Sequence, residues 1–317
     1  MTPTQIPGRT ADRARPAWLS DAAFPFTSRW LDIDGDDIHY IDEGAGPALL
    51  LVNVGMWSFV FRDLAVRLRA HFRVIALDFP GMGLTTARRP LERTVAQQST
   101  TLEHFIDALD LQDITLLVHD VGGPVGLGYA ARHPERIHGL IVANTFAFPL
   151  AHYPVIRGML GLVGSRSFDA LNTRTNVFAR VSATAFGVGR HLDSTSRRAF
   201  LGPWHDRDAR RASVAALRSV RNVDSWLEQI EQALTTTLAD RPLLSVYGAR
   251  NDPFGWQDRM RRMFPRGRHL RVPGANHFPF ADAPDMVADE IVLWWRDEAG
   301  QGGSAVPSAR AEVAPTA

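Results

Sequence analysis

Between residues 114 and 124 the chain reads Ile-Thr-Leu-Leu-Val-His-Asp-Val-Gly-Gly-Pro, an apolar, β-branched run that stops at an acid and passes into small residues. The run predicts a buried strand ending at His119. Gly122, Gly123 and Pro124 then open a helix reaching about Arg132, with Pro134 as its stop. This corner constrains the fold because it holds Asp120 at the top of whatever sheet the strand joins, beside the unpaired N–H groups of a helix start. Those groups and the helix dipole favour negative charge, so the carboxylate is expected to be ionised. On local chemistry alone Asp120 also reads as a helix N-cap, a position that selects aspartate. Partners elsewhere in the chain have to decide between the two roles.

The surrounding pattern alternates strands with helices. Segments 30–33 and 38–41 flank Asp34-Gly35-Asp36 as a hairpin, 48–52 is a fully apolar strand, and 59–70 has helical spacing. A strand at 72–77 runs into Asp78-Phe79-Pro80-Gly81-Met82-Gly83, followed by a helix at 95–109. After the central strand and its helix comes a strand at 137–143. Such alternation implies a mostly parallel twisted sheet flanked by helices, joined by right-handed crossovers. From Phe146 to about Leu238 no buried strand is legible, only helical stretches. The alternation resumes with a strand at 243–247, a helix near 257–263, a strand at 269–272 and a closing helix at 284–295. The expected division is an N-terminal extension at 1–27, a core at 28–145 and 237–298, a helical cap at 146–236 inserted after the sixth strand, and a disordered tail at 299–317, where Gly, Ser, Ala and Pro show no periodicity.

Composition removes several chemistries. Neither cysteine nor lysine occurs in the 317 residues, which excludes disulfides, thiol catalysis, cysteine metal sites, Schiff bases and P-loop phosphate binding. The net charge of +1 predicts no broad attraction to nucleic acid or membranes. No apolar run reaches the length of a membrane span, and residues 1–15 lack the apolar stretch of a secretion signal, so a cytoplasmic protein is expected. No cofactor or metal is expected.

Two loops beyond the cap carry further chemistry. Gly248-Ala249-Arg250-Asn251-Asp252-Pro253 follows one strand, and Gly274-Ala275-Asn276-His277-Phe278 follows the last. Ligands of open α/β sheets bind at the carboxyl ends of the strands, which places Asp120, Asp252 and His277 on one rim. A nucleophile needs a base within hydrogen-bond reach, and the base needs a third group to fix its tautomer. Asp252 is expected to orient His277, and His277 to serve Asp120. Alone, Asp252 reads equally as a turn residue before proline, and His277 as a loop histidine; His119 and His205 read as structural.

With these residues the chain resembles the α/β-hydrolases of the aspartate-nucleophile branch, and most of all the haloalkane dehalogenases. The matching pieces are His119-Asp120 with Gly122-Gly123-Pro124, the loop 78–83, Trp57-Ser58-Phe59-Val60-Phe61-Arg62, and Asp252 with His277, over roughly residues 30–298. The resemblance implies an Asp-His-Asp triad. By the same resemblance, Asp120 is expected to attack a saturated carbon and form an alkyl-enzyme ester, and His277 to activate the water that hydrolyses it. The backbone N–H groups of Val121 and of Val54 are expected to hold the charged oxygen of the second step.

The resemblance also implies side-chain donors for the departing halide, and here the chain departs from the pattern. A tryptophan is usual directly after the nucleophile, where this chain has Val121, and the usual second donor falls at Val54 or Gly55. Asn53, Trp57 and Trp204 stand near enough in the pattern to substitute. Epoxide hydrolysis on the same triad would use cap tyrosines, and only Tyr153 lies in the cap. A non-catalytic protein that binds a ligand under its cap is the remaining alternative. The cap aromatics, Phe186 among them, read mostly as packing under an apolar pocket. The cap arginines Arg174, Arg180, Arg197, Arg198, Arg210 and Arg211 read as a solvated face. The expected partners are a small, neutral, apolar substrate and water.

Overall fold

The structure is a computed structural model, and it describes residues 9–10, 15–88 and 93–302. Its centre is a nine-stranded sheet: β1 (Arg9–Thr10), β2 (Arg29–Ile33), β3 (Asp36–Glu43), β4 (Ala48–Val54), β5 (Arg73–Leu77), β6 (Ile114–Asp120), β7 (Ile137–Thr145), β8 (Leu243–Gly248) and β9 (Arg268–Val272). The spatial order is β1-β2-β3-β5-β4-β6-β7-β8-β9. The first strands meet antiparallel as far as the β3–β5 pair, and every pair from β5 to β9 is parallel. Central strands are buried on both faces, which is why 49–52 and 114–118 read as unbroken apolar runs rather than alternating ones.

The helices of the first half are α1 (Arg62–Leu68), entered through a 3-10 turn at Ser58–Phe61, α2 (Val95–Ala108) and α3 (Gly122–Arg132). Thr94 caps α2 and exchanges hydrogen bonds with Gln97 in a capping box. The segment between β7 and β8 carries α4 (Pro154–Val163), α5 (Arg166–Thr175), α6 (Val177–Ser182), α7 (Ser194–Leu201), α8 (Arg207–Ser219) and α9 (Asp224–Thr235), with no strand. Trp226 of α9 donates its indole N–H to the Pro124 carbonyl at 2.8 Å, tying this helix to α3. The chain ends in α10 (Trp256–Met263), the short α11 (Pro279–Asp282) and α12 (Pro284–Gly302). Helix α12 continues past Trp295 through Gly302, so the first residues assigned to a disordered tail are helical; 303–317 lie outside the described residues.

Two details differ from expectation. The stub β1 adds a strand, so the helical segment follows the seventh strand. Residues 15–27, expected as part of an extension, contribute Leu19, Phe24 and Phe26 to the core, where Phe24 stacks on Trp57 with ring centroids 5.4 Å apart.

Strand β4 lies between β5 and β6, so the chain leaves it towards one side and later returns on the other. This reversal opens a crevice at the carboxyl ends of β4 and β6, with Val54 in register with Asp120. Close packing at the corner depends on glycine. A Cβ on Gly122 would run into the backbone carbonyl of Val52, and one on Gly123 into the Thr145 hydroxyl. Gly122→Ala is therefore expected to destabilise the protein by about 1–3 kcal/mol, the usual range for overpacking, as a lowered midpoint of urea unfolding.

Candidate active site

Asp120 ends β6 with φ of 51°, a left-handed conformation that costs an L-residue roughly 1–2 kcal/mol. Asp and Asn tolerate it better than most residues. Its backbone is strapped in place: the Thr145 hydroxyl donates to the Asp120 carbonyl at 2.6 Å, and the Thr145 carbonyl accepts from Tyr247 at 2.6 Å. The corner turns the carboxylate onto the rim, with about a quarter of the side chain exposed, and Oδ2 stands 3.4 Å from Nε2 of His277. Desolvation pushes the carboxyl pKa up, but the hydrogen bond and positive charge of His277, with the Val121 N–H, outweigh it and hold Asp120 below the usual carboxylate range.

The partner of the other His277 nitrogen is not the expected one. Nδ1 meets Oδ1 of Asn251 at 3.2 Å. Asp252 turns away: it accepts from the N–H groups of Trp256 (2.9 Å) and Gln257 (3.2 Å), the first two residues of α10, and lies 3.6 Å from Arg271. Its carboxylate is fully buried and serves the helix start, and the Asn251 amide beside it holds the position against His277 expected of Asp252.

The protonation pattern follows from groups that can only donate. The Gly248 N–H donates to Asn144 at 2.7 Å, which fixes that atom as oxygen and leaves the amide nitrogen of Asn144 as the donor to Asn251, at 2.5 Å to its carbonyl and 3.4 Å to Oδ1. Asn251 Oδ1 is then an acceptor, so His277 carries its proton on Nδ1. With Nδ1 held as a donor, Nε2 is the nitrogen turned to the rim, where it meets the Asp120 carboxylate.

His119 is held by the same logic. Its Nε2–H donates to the His277 carbonyl at 2.8 Å, and its Nδ1 accepts from the Asn53 amide at 2.7 Å. Complete burial, with the charge of His277 adding to it, pushes the His119 pKa down to about 3. His119 is thus a neutral strut between β4 and the loop bearing the base, a structural role as its sequence context suggested.

The expected halide donors are committed elsewhere. The Asn53 amide gives one of its two N–H groups to His119, and its oxygen accepts from the Met56 N–H at 3.3 Å. Trp57 donates its indole N–H to the Phe200 carbonyl at 3.1 Å, and Trp204 donates to the Ser213 hydroxyl at 2.8 Å; both are buried. Tyr153 packs against Phe254 and Trp256, with its hydroxyl 3.5 Å from Arg259. Val54, in register with Asp120, and Val121, whose N–H already faces the Asp120 carboxylate, keep positions suited to an oxyanion site. Sequence reasoning passed over Asn144, Thr145 and Asn251. The only signal for them was their place at or just beyond strand ends on the same rim.

His119 has a consequence for stability. Unfolded, it titrates near its model value of 6.5, so between 6.5 and about 3 the unfolded chain binds a proton that the folded protein does not. Its contribution falls as pH drops through that window, by about 1.4 kcal/mol per unit. Urea titrations across the window are expected to show a shallower pH dependence for His119→Gln than for the wild type.

Comparison with known proteins agrees with this architecture. The family profile described as the alpha/beta hydrolase fold matches residues 44–284. Haloalkane dehalogenase 2 of Mycobacterium tuberculosis is 28% identical over 273 residues, covering 85% of this chain and 95% of that protein. The cis-3-alkyl-4-alkyloxetan-2-one decarboxylase of Shewanella oneidensis is 29% identical over 299 residues, covering 86% and 89%. Among solved structures, the haloalkane dehalogenase DatA from Agrobacterium tumefaciens superposes with a TM-score of 0.74 at 19% identity, over 88% of this chain and all of that one, a likeness of fold. The profile match spans most of the chain, and with the sheet order and the corner at Asp120 it places the protein in the α/β-hydrolase fold family.

Proposed function

We propose that the protein is a hydrolase that uses Asp120 as its nucleophile and His277 as its base, acting on an electrophilic saturated carbon. One observation carries this reading: an ionised carboxylate on a strained strand-to-helix corner stands 3.4 Å from the base nitrogen of a histidine whose tautomer is fixed. An Asp120 oxygen attacks the carbon, a C–O bond forms, and the leaving group departs with its bonding electrons. His277 Nε2 then takes a proton from water. The resulting hydroxide adds to the carboxyl carbon of Asp120, and the charge that develops on the ester oxygen faces the Val121 N–H, with the Val54 N–H as the second proposed donor. Collapse releases the alcohol, which receives the proton from His277, and the Asp120 carboxyl group then loses the hydrogen brought by the hydroxide to solvent and is a carboxylate again. A serine at the corner would give an ether that water does not cleave; an aspartyl ester keeps a carbonyl open to hydrolysis.

Cleavage of a carbon–halogen bond in a small apolar substrate is the first choice of chemistry, supported by the likeness to haloalkane dehalogenases. A second reading, opening of a strained oxygen ring such as an epoxide or a β-lactone, is favoured by the engagement of Trp57 and Trp204, whose indole N–H groups are spent inside the protein rather than offered to a halide. In a ring the departing oxygen stays attached to the substrate, and from a lactone it leaves as a carboxylate with its charge over two atoms. The relatives named for an oxetanone substrate fit this reading.

Replacing the base separates the readings. His277→Gln, incubated with a bromoalkane, an epoxide or a β-lactone and then weighed intact, is expected to accumulate a covalent adduct that peptide mapping locates at Asp120. Bromide release with an alkyl mass supports dehalogenation, adduct from a ring substrate alone supports ring opening, and no adduct from any of them sinks the mechanism. The two loop residues are separable as well. Asn251→Ala is expected to lower kcat by about 10²-fold or more, since loss of the orienting partner lets the imidazole adopt the wrong tautomer. Asp252→Asn is expected to act mainly on stability, by about 1 kcal/mol, through the weakened start of α10.

A further inference from the structure

The net charge of +1, from which no membrane attraction was expected, averages over a strong segregation. Residues 146–222, from the end of β7 to the start of α9, hold twelve arginines and four aspartates, an excess of eight positive charges. The rest of the chain therefore carries an excess of seven negative charges. The same segment holds six of the eight exposed large hydrophobic side chains among the described residues. On α4, Val155 (72% exposed), Met159 (56%) and Leu162 (69%) recur at helical spacing along one face, while Ile156 and Leu160 bury the other. Phe186, expected to pack inside the cap, is 80% exposed.

The arginines stand in several settings: Arg157 and Arg190 pair with Asp224 and Asp282 outside the segment, and Arg211 with Asp208 inside it. Arg197, Arg210 and Arg218 donate to backbone carbonyls of Ala183, Thr173 and Gly164 and staple the helices together. Arg166 and Arg174 form no ion pair among the described residues. With Arg207 and Arg211 they line an open cleft of about 360 Å³ between α5 and α8, whose one carboxylate, Asp169, is taken by Arg218 at 3.4 Å. A helical hairpin with an exposed apolar stripe and more guanidinium groups than carboxylates matches the two halves of a lipid interface, acyl boundary and phosphate. Among the described residues no helix is long and apolar enough to cross a membrane, so any contact is with the surface. A second copy seated on the same patch would bring two strongly positive surfaces together, which disfavours self-association there.

We propose that this segment docks on an anionic phospholipid surface, the apolar face of α4 entering the acyl boundary and the cleft arginines meeting headgroup phosphates. Helix α4 packs on α8, whose Ala216 side chain faces Gly55 at the rim beside Asp120, so docking would place the helices over the site against the bilayer.

Cosedimentation with vesicles tests the proposal. The full-length protein is expected to bind equimolar phosphatidylglycerol–phosphatidylcholine vesicles and to leave pure phosphatidylcholine vesicles largely unbound, with binding falling about tenfold or more as salt screens the charges. Met159→Glu/Leu162→Glu and Arg166→Glu/Arg174→Glu are each expected to weaken binding about tenfold, with circular dichroism confirming the fold; all four side chains are exposed. Equal binding to neutral vesicles, no binding to the anionic ones, or variants that bind as well as the wild type would overturn it. So would light scattering that shows a dimer which the Met159/Leu162 variant dissolves, since the stripe would then belong to a second copy.

Discussion

The left-handed backbone at Asp120 is the constraint on which the rest of the site depends. A residue held there cannot relax into the helix that follows or the strand that precedes it without giving up the sharp corner, and the corner is what lifts the carboxylate onto the rim. The cost of that conformation is met by neighbours: glycines that let α3 approach β4, and the Thr145 hydroxyl on the corner's carbonyl. The same turn that strains the backbone aims the Val121 N–H at the carboxylate and helps keep it ionised. Strain, charge state and presentation are therefore one feature.

Most of the fold was legible because it is written in local signals. Unbroken apolar runs at 49–52 and 114–118 give central strands, and Gly122-Gly123-Pro124 and Pro134 punctuate α3. The helical run after β7 shows itself by lacking any strand pattern. What escaped was the choice between neighbours. Asn251 and Asp252 are adjacent, and chemistry alone prefers the carboxylate as partner for an imidazole. The structure reverses this because Asp252 is captured by the opening N–H groups of α10, a contact set by a one-residue register in the loop. The partners of the donors expected for a halide were hidden for a similar reason. The indole of Trp57 bonds a carbonyl 143 positions away, and nothing in the local sequence announces such a partner.

Commitment of those donors bears on what the site can process. Halide departure into a dry pocket needs dipoles ready to receive negative charge, because an unsolvated anion is costly there. At this rim the two indole N–H groups and one N–H of Asn53 instead tie down the β4 loop, the helices after β7 and His119. Under the proposed hydrolase reading, this favours a leaving group that needs few donors.

The end of β7 has a role of its own. Asn144 and Thr145 are consecutive, yet one grips the loop of Asn251 and the other the corner at Asp120. The corner and the loop thus share an anchor at the end of β7, beside their own ties to β4 and to His119. A change at that strand end therefore reaches both sides of the carboxylate–imidazole pair at once.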